Sequence, residues 1–503
     1  MSDTVKNNPQ NNDANETRSN AIFRNLVTYV PSRYLAQIFQ FITSILIKNI
    51  LGPFYTGVWS TLRIVFSYAS YSSLGITNVI FYKVPLLNGE GKHEKAVSLQ
   101  HNVFTFLMTG ALLISVGVAA YAFVFRDTLP PYMFAGLLFI SVEIIAQRFY
   151  SYHASVLRAE KAFNILSLTV IIESVVHLLL VILLVNKFQL YGLLAAVIAL
   201  PIINMAYIYS QKKFTYKLQL DKTQLKENLK FSFPLFIRKS LVNILNSVDK
   251  IIVVSFFGFN ALGLFSIAFM TRNYSEGLYR NFSHVISPYF LEEFGETSNL
   301  KEVSRYVVKP TLVMAYVMAA LLGGVFIFSD PLVYYLLPKF GEGLPAMRIY
   351  LLATFFNVLA TQATVFITAQ NKQVHLIPIA LVSILLNIGL NILFIQAGFG
   401  ITGVAAATSI TGALAFLYTY FYAMKKVESL FKIIVLLLDV LLPLAVSAVA
   451  VLLFQQWIEM SNLLVESIVQ AVVFGLVFIP LIWLLNVKTN VVGFVWQNLK
   501  KKK

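Results

Sequence analysis

The stretch from Asn246 to Ser266, NSVDKIIVVSFFGFNALGLFS, is apolar and long enough to enter a bilayer, yet it opens on two adjacent charges, Asp249 and Lys250. An earlier segment, LGPFYTGVWS from Leu51 to Ser60, matches its second half, FGFNALGLFS from Phe257 to Ser266. Gly52, Gly57 and Ser60 recur 206 residues later as Gly258, Gly263 and Ser266. Farther along, EKAFNILS from Glu160 resembles NKQVHLIP from Asn371, and YGLLAAVIA from Tyr191 resembles TGVAAATSI from Thr402. There the offset is 211, and Lys161 to Gly192 spans the same 31 residues as Lys372 to Gly403. Two agreements a helix apart indicate a duplication: helices one to six, then seven to twelve, with helices thirteen and fourteen appended.

Composition sets the class. The chain has 503 residues, 58% hydrophobic and 12% charged, with a mean hydropathy of +0.73, so an all-α polytopic membrane protein is expected. Fourteen segments of about 20 residues each begin near residues 30, 58, 99, 132, 163, 190, 231, 260, 306, 345, 376, 402, 432 and 465. The organisation that follows is a disordered tail over 1–24, an N-lobe over 25–210, a linker over 211–230, a C-lobe over 231–424, two further helices over 425–487 and a basic tail over 488–503. No connection is long enough to hold a nucleotide-binding or catalytic domain. The string GEGKHEK at Gly89 lacks the spacing of a phosphate loop and reads as a solvated basic connection. Without Cys there are no disulfides or thiolate sites, and neither metal nor cofactor is expected.

Lys and Arg fall on alternate connections and on both tails, twenty-four against three, which predicts both termini in the cytoplasm. Much of the net charge of +16 is therefore topological and calls for no nucleic-acid partner. Six spans per half is an even number, so the two halves enter the membrane the same way round and make a parallel pseudo-repeat, an arrangement that places substrate between rocking lobes.

At 100° per residue, Lys239, Asn243, Asn246 and Lys250 fall within about 60° of one another on helix seven. Moving back 206 residues gives Arg33, Gln37, Gln40 and Ser44, the same kind of stripe on helix one. An intramembrane charge costs on the order of 2.5–3.5 kcal/mol, so such groups face an interior. Lys48, Arg158, Lys309 and Lys432 read instead as snorkelling to an interface. Arg272, Glu276 and Arg280 share a face of helix eight, where Arg and Glu four apart also pair locally; Arg63 and Arg148 add cations in the first half. Cations outnumber acids, which suits a phosphate-bearing substrate. Asp249, on the flank of its stripe, reads as a structural counter-ion or a coupling site, and Glu276 likewise. Glu173 and His177, four apart on helix five, read either as a buried hydrogen-bonded pair or as a proton-coupling pair.

With its fourteen spans, its twofold six-helix repeat, the LGPFYTGVWS turn and DKIIVVSFFGFNALGLFS across helices seven and eight, the chain resembles the polysaccharide-transporter branch of the multidrug, oligosaccharidyl-lipid and polysaccharide exporter superfamily, the Wzx-type flippases. That resemblance implies a bacterial inner-membrane protein with a cationic central cavity, turning polyprenyl-pyrophosphate-linked oligosaccharides across the bilayer for O-antigen, capsule or exopolysaccharide. It also implies an Asp at the position of Asp249 and a lipid-tail groove at helices thirteen and fourteen; the partners expected are membrane lipids and other polysaccharide-assembly proteins, and the energy comes from an ion gradient (H⁺ or Na⁺), a partner or the substrate's own gradient. The alternatives are a lipid II flippase and a drug or metabolite cation antiporter of the same fold. The latter generally carries an acid in helix one, and Leu26 to Ile50 has none. An enzyme is not expected.

Overall fold

The computed structural model describes residues 9–297, 305–370, 372–425 and 427–489, with side chains described from 31 onward except at 235, 238, 278–307, 369, 373 and 488. Among these residues there is helix and no strand. The helices are α1 Pro9–Ala69, α2 Thr77–Gly89, α3 His93–Val124, α4 Pro131–Ala159, α5 Phe163–Leu180, α6 Asn186–Gln211, α7 Lys222–Thr297, α8 Arg305–Ile327, α9 Leu344–Ala369, α10 Leu376–Gln396, α11 Gly400–Met424, α12 Leu430–Trp457 and α13 Leu463–Thr489. Of the stretches read as tails, 1–8 and 490–503 lie outside the described residues, and helix is described from Pro9.

Hydrocarbon offers backbone groups no partner, so a spanning segment of this composition must satisfy them within itself, as a helix. Eleven stretches are long and apolar enough to cross. Three of them, Pro31–Ser73, Phe163–Gln211 and Lys239–Gly277, are broken inside, at Gly52, Gln189 and Gly258; each makes two crossings, and fourteen result.

The breaks carry the repeat. Gly52 (φ 66°, ψ 179°) and Gly258 (φ 79°, ψ −174°) adopt one backbone conformation, open in practice only to glycine, 206 residues apart. Gln189 (φ 48°) and Gly400 (φ 58°) stand 211 apart, the second offset. In the first half a residue with a Cβ holds that left-handed position, at a cost on the order of 1–2 kcal/mol.

The chain divides into two compact units: Met1–Leu51 with Leu62–Ser240, and Gly52–Thr61 with Leu241–Lys503. In the first, Ile80 and Val84 of α2 pack with Leu99, Val103 and Leu107 of α3 and with Tyr152 and Val156 of α4. Ser115 of α3 donates to the Ser141 carbonyl of α4 at 2.7 Å. Asp221 caps α7, accepting from the backbone N–H groups of Thr223 and Gln224 at 2.8 and 3.0 Å. The helix therefore begins ahead of the apolar run at 231, and the stretch 211–230 holds its first two turns.

In the second unit, α8, α9 and α11 share one core with α12 and α13, through Leu322, Phe355, Phe416, Val440 and Phe474 among others. Ser447 of α12 and Ser467 of α13 donate to the Ala319 and Ile327 carbonyls of α8, each at 3.1 Å. The appended helices are thus docked on the repeat. In the same unit a Cβ on Gly57 would fall 1.7 Å from the Phe259 carbonyl oxygen, and one on Gly263 would fall 1.7 Å from that of Pro53. Pro53 and Phe259 are themselves 206 residues apart, so this is a single contact made twice about a local two-fold axis.

Gly57→Ala and Gly263→Ala should each lower the unfolding midpoint in detergent by the equivalent of about 1–3 kcal/mol or more. Gly389→Ala, in α10 with nothing within 4 Å of the new methyl, should be neutral or stabilise by up to about 1 kcal/mol. Equal effects at all three positions would refute the crossing.

Candidate functional site

In the second unit the polar residues of α7 are joined to one another through α9, α10 and α11. Asp249 is 1% exposed. Tyr350 of α9 donates to its Oδ2 at 3.3 Å, and Asn391 Nδ2 of α10 donates to its Oδ1 at 3.4 Å and to Asn387 Oδ1 at 3.0 Å. Asn387 Nδ2 in turn donates to Thr408 Oγ1 of α11 at 3.3 Å. On the other side of Tyr350 lies the Arg272 guanidinium. It donates to the Tyr350 hydroxyl at 3.2 Å, to Asn246 Oδ1 at 2.9 Å and, through Nε, to Glu276 Oε1 at 2.7 Å. The phenol therefore stands between Arg and Asp, taking a proton contact from one and giving one to the other. All these donors and acceptors sit in a medium where leaving one unmade costs about 1–3 kcal/mol.

The arrangement divides the charges that the sequence put side by side. Asp249 is buried in the amide and phenol network. Lys250, pointing about 100° away, lies with Nζ 4.7 Å from the centre of the Phe269 ring. Asn246 serves Arg272 rather than standing open beside Lys250. Asn243 is half-buried in this unit; Lys239 is exposed and belongs to the first. Arg280 falls outside the residues whose side chains are described.

The Asp249 end has the chemistry of a small-cation cradle. Its carboxylate, the Asn387 and Asn391 amide oxygens and the Thr408 hydroxyl are all hard oxygen donors. Asn391 Oδ1 is buried with no hydrogen-bond partner, an acceptor available to a cation or a proton donor. Among the described residues no three His, Cys, Asp or Glu side chains converge as a metal site. The Asp249 group therefore offers a single carboxylate among neutral oxygen groups.

In the first unit Arg63 Nη1 pairs with Glu143 Oε1 at 2.5 Å, with the guanidinium also 4.0 Å from the Phe66 ring centre. Arg148 donates to the Ser70 carbonyl at 3.1 Å and to Ser72 Oγ at 3.5 Å, holding the short 3₁₀ turn Ser70–Ser73 that follows α1. Glu173 accepts from Asn204 Nδ2 of α6 at 3.4 Å and has Arg33 as its charged neighbour. Its bond thus runs to Asn204, and His177 Nε2 is buried without a hydrogen-bond partner, with Arg63 as a charge acting on that ring. Arg33 and Gln40 are exposed and Gln37 is half-buried. Lys48, expected to snorkel, is instead buried, with Ser44 Oγ one turn back at 3.2 Å as acceptor.

Four members of the Asp249 network escaped the stripe argument: Tyr350, Asn387, Asn391 and Thr408. A signal for two of them was present, since LNIGLN places paired amides one turn apart in an otherwise apolar span of mean hydropathy 2.3.

Fourteen crossings in two repeated halves, with bonded carboxylates, arginines and amides buried within them, define a multi-pass membrane protein. A family model described as "Polysaccharide biosynthesis protein" matches residues 91–343, just over half of the chain, and the chain belongs to that family. No curated protein matches it. Among solved structures, the lipid II flippase MurJ in an inward closed conformation is 17% identical with a TM-score of 0.65, over 91% of this chain and 100% of that one. An inward-facing multidrug resistance MATE family transporter of the MOP superfamily is 14% identical with a TM-score of 0.59, over 82% and 98%. A MOP superfamily transporter from Pyrococcus furiosus, described by the reverse polarity of its binding pocket, is 13% identical with a TM-score of 0.56, over 82% and 96%. These likenesses establish the fold that the chain shares with them.

Tyr350→Phe removes the hydroxyl between Arg272 and Asp249. It should destabilise the protein by about 1–3 kcal/mol, read as a lowered midpoint in thermal unfolding. A midpoint equal to the parent's would show that the phenol bridges nothing.

Proposed function

We propose that the protein is a flippase that moves a polyprenyl-pyrophosphate-linked oligosaccharide across the bacterial inner membrane by alternating access, for O-antigen, capsule or exopolysaccharide assembly. The observation that carries this reading is the coincidence of a polysaccharide-biosynthesis family with a transporter fold.

Physical chemistry supports the division of labour. The polyprenyl tail can stay in lipid, whereas pyrophosphate and sugars cannot cross hydrocarbon without a polar path. Arg33 and Lys239 in the first unit and Lys250 in the second are the cations suited to the phosphates, with Arg able to grip a phosphate through two parallel hydrogen bonds; Arg63 and Arg272, bonded to Glu143 and to Glu276, Tyr350 and Asn246, hold their own networks. Gln37, Gln40 and Asn243 are suited to sugar hydroxyls. Arg148, which holds the Ser70–Ser73 turn, we assign to positioning rather than contact. The lobes 25–210 and 231–424 are the rocking bodies of this mechanism, with both termini cytoplasmic. Asp249 with Asn387, Asn391 and Thr408 is the coupling site, taking Na⁺ or H⁺.

The test is complementation of a deletion strain. Lys250→Ala and Asp249→Asn, each confirmed to insert, should lose surface polysaccharide by tenfold or more and leave lipid-linked repeat units accumulated inside. Normal surface glycan in both variants would sink the assignment of these residues. A deletion strain with unchanged glycan and accumulated lipid II would transfer the function to the peptidoglycan precursor.

A further inference from the structure

Between α6 and α7 the chain runs as a non-helical strap from Lys212 to Asp221, and side-chain bonds pin it to the first unit at several points. The Tyr216 hydroxyl donates to Nε2 of His153, a fully buried ring whose Nδ1 is fixed as a donor by the Phe149 carbonyl at 2.7 Å. Tyr209 bonds the same phenol. The Gln219 backbone N–H donates to Thr105 Oγ1 at 3.0 Å, and its side-chain amide donates to Ser98 Oγ at 3.1 Å. Asn102 Nδ2 closes the strap, donating to the Asp221 carbonyl at 3.0 Å.

What this pinned segment turns outward is neither purely polar nor purely apolar. Leu218 is 83% exposed and Leu220 52%, beside the exposed Lys213 and Lys217. The first turns of α7 continue the pattern: Lys222, Lys226 and Lys230 repeat every four residues on one exposed face, while Leu225 and Leu229 pack into the core of the first unit. Among the described residues, none of these five lysines forms an ion pair. A connection that carried lysines only to set topology would have no reason to hold two leucines rigidly outward among them.

Depth identifies what lies opposite. The 32 residues of α3 make a helix of about 48 Å, against about 30 Å of hydrocarbon. Counting back from Val124, twenty residues reach Thr105. The strap, bonded to Thr105, Asn102 and Ser98, therefore lies where hydrocarbon gives way to headgroups.

We propose that the lysine face from Lys213 to Lys230 is a docking surface for anionic phospholipid headgroups, with Leu218 and Leu220 entering the boundary of the acyl chains. Basic residues flanking apolar ones at this depth are the composition that holds a segment to an anionic leaflet. The inference is independent of which glycan the protein moves.

The native chain has no Cys, so Leu218→Cys gives a single labelling point for an environment-sensitive fluorophore on the full-length protein. In nanodiscs of phosphatidylcholine containing rising fractions of phosphatidylglycerol, the emission should shift to the blue. With Lys217, Lys222 and Lys226 all changed to Gln, the fraction giving half the shift should rise by about tenfold or more, or the shift should vanish. A label whose emission ignores phosphatidylglycerol would overturn the proposal, as would a shift that the Gln variant keeps in full. A matching shift produced by inorganic phosphate in pure phosphatidylcholine discs would also overturn it, by making the surface a free-anion site. A blue shift on adding a soluble acidic protein in pure phosphatidylcholine discs, with none from phosphatidylglycerol, would overturn the proposal by making protein the partner instead of lipid.

Discussion

Inside a bilayer every backbone donor and acceptor must be satisfied by the chain itself, and the rest of this structure follows from how that rule is kept. It makes the described residues helical, and it makes any interruption expensive, so the breaks are confined to positions with a local remedy. At Gly52 and Gly258 the remedy is the missing Cβ. Those two breaks turn the long α1 and α7 into pairs of crossings. They also deliver Gly57 and Gly263 to the places where backbone can approach backbone.

The same rule applied to side chains accounts for the Asp249 network. A carboxylate at 1% exposure is tolerable only if its oxygens are occupied, and Tyr350 and Asn391 occupy them. Arg272 is handled in parallel, with Glu276, Tyr350 and Asn246 each taking one edge of the fork. Tyr350 joins the two, so a change of charge at Asp249 is felt by an arginine two bonds of hydrogen away. Buried networks of this kind are costly when half-satisfied, which makes them responsive to a single added cation or proton.

The sequence was informative where periodicity and repetition act, and silent where partners come from elsewhere in the chain. The number of spans, and the match of Gly52 with Gly258, were legible because hydropathy and glycine placement are local, whereas the start of the seventh span, at Lys222 rather than near 231, was set by the Asp221 cap. The separate fates of Asp249 and Lys250 were half legible: their 100° divergence follows from helix geometry. That Tyr350, 101 residues on, completes the carboxylate depends on how α9 packs, and no local signal carries it. Arg148 shows the converse. Its charge and depth suggested a ligand, whereas the structure gives it the Ser70 carbonyl and the Ser72 hydroxyl of a turn that hydropathy cannot see. Glu173 likewise found Asn204 on the next helix, 31 residues away, in place of the histidine one turn along.

The paired contact of Gly57 with Phe259 and of Gly263 with Pro53 has a consequence for how such a chain arises. A contact that repeats itself about a two-fold axis is self-complementary, so a segment bearing it would meet a second copy of itself in the same way. As separate chains, two such segments would hold together only as far as their abundance in the membrane allowed. On one chain they meet at a fixed effective concentration set by the connection between them. The association is then independent of expression level, and matched positions can differ, as Gln189 does from Gly400.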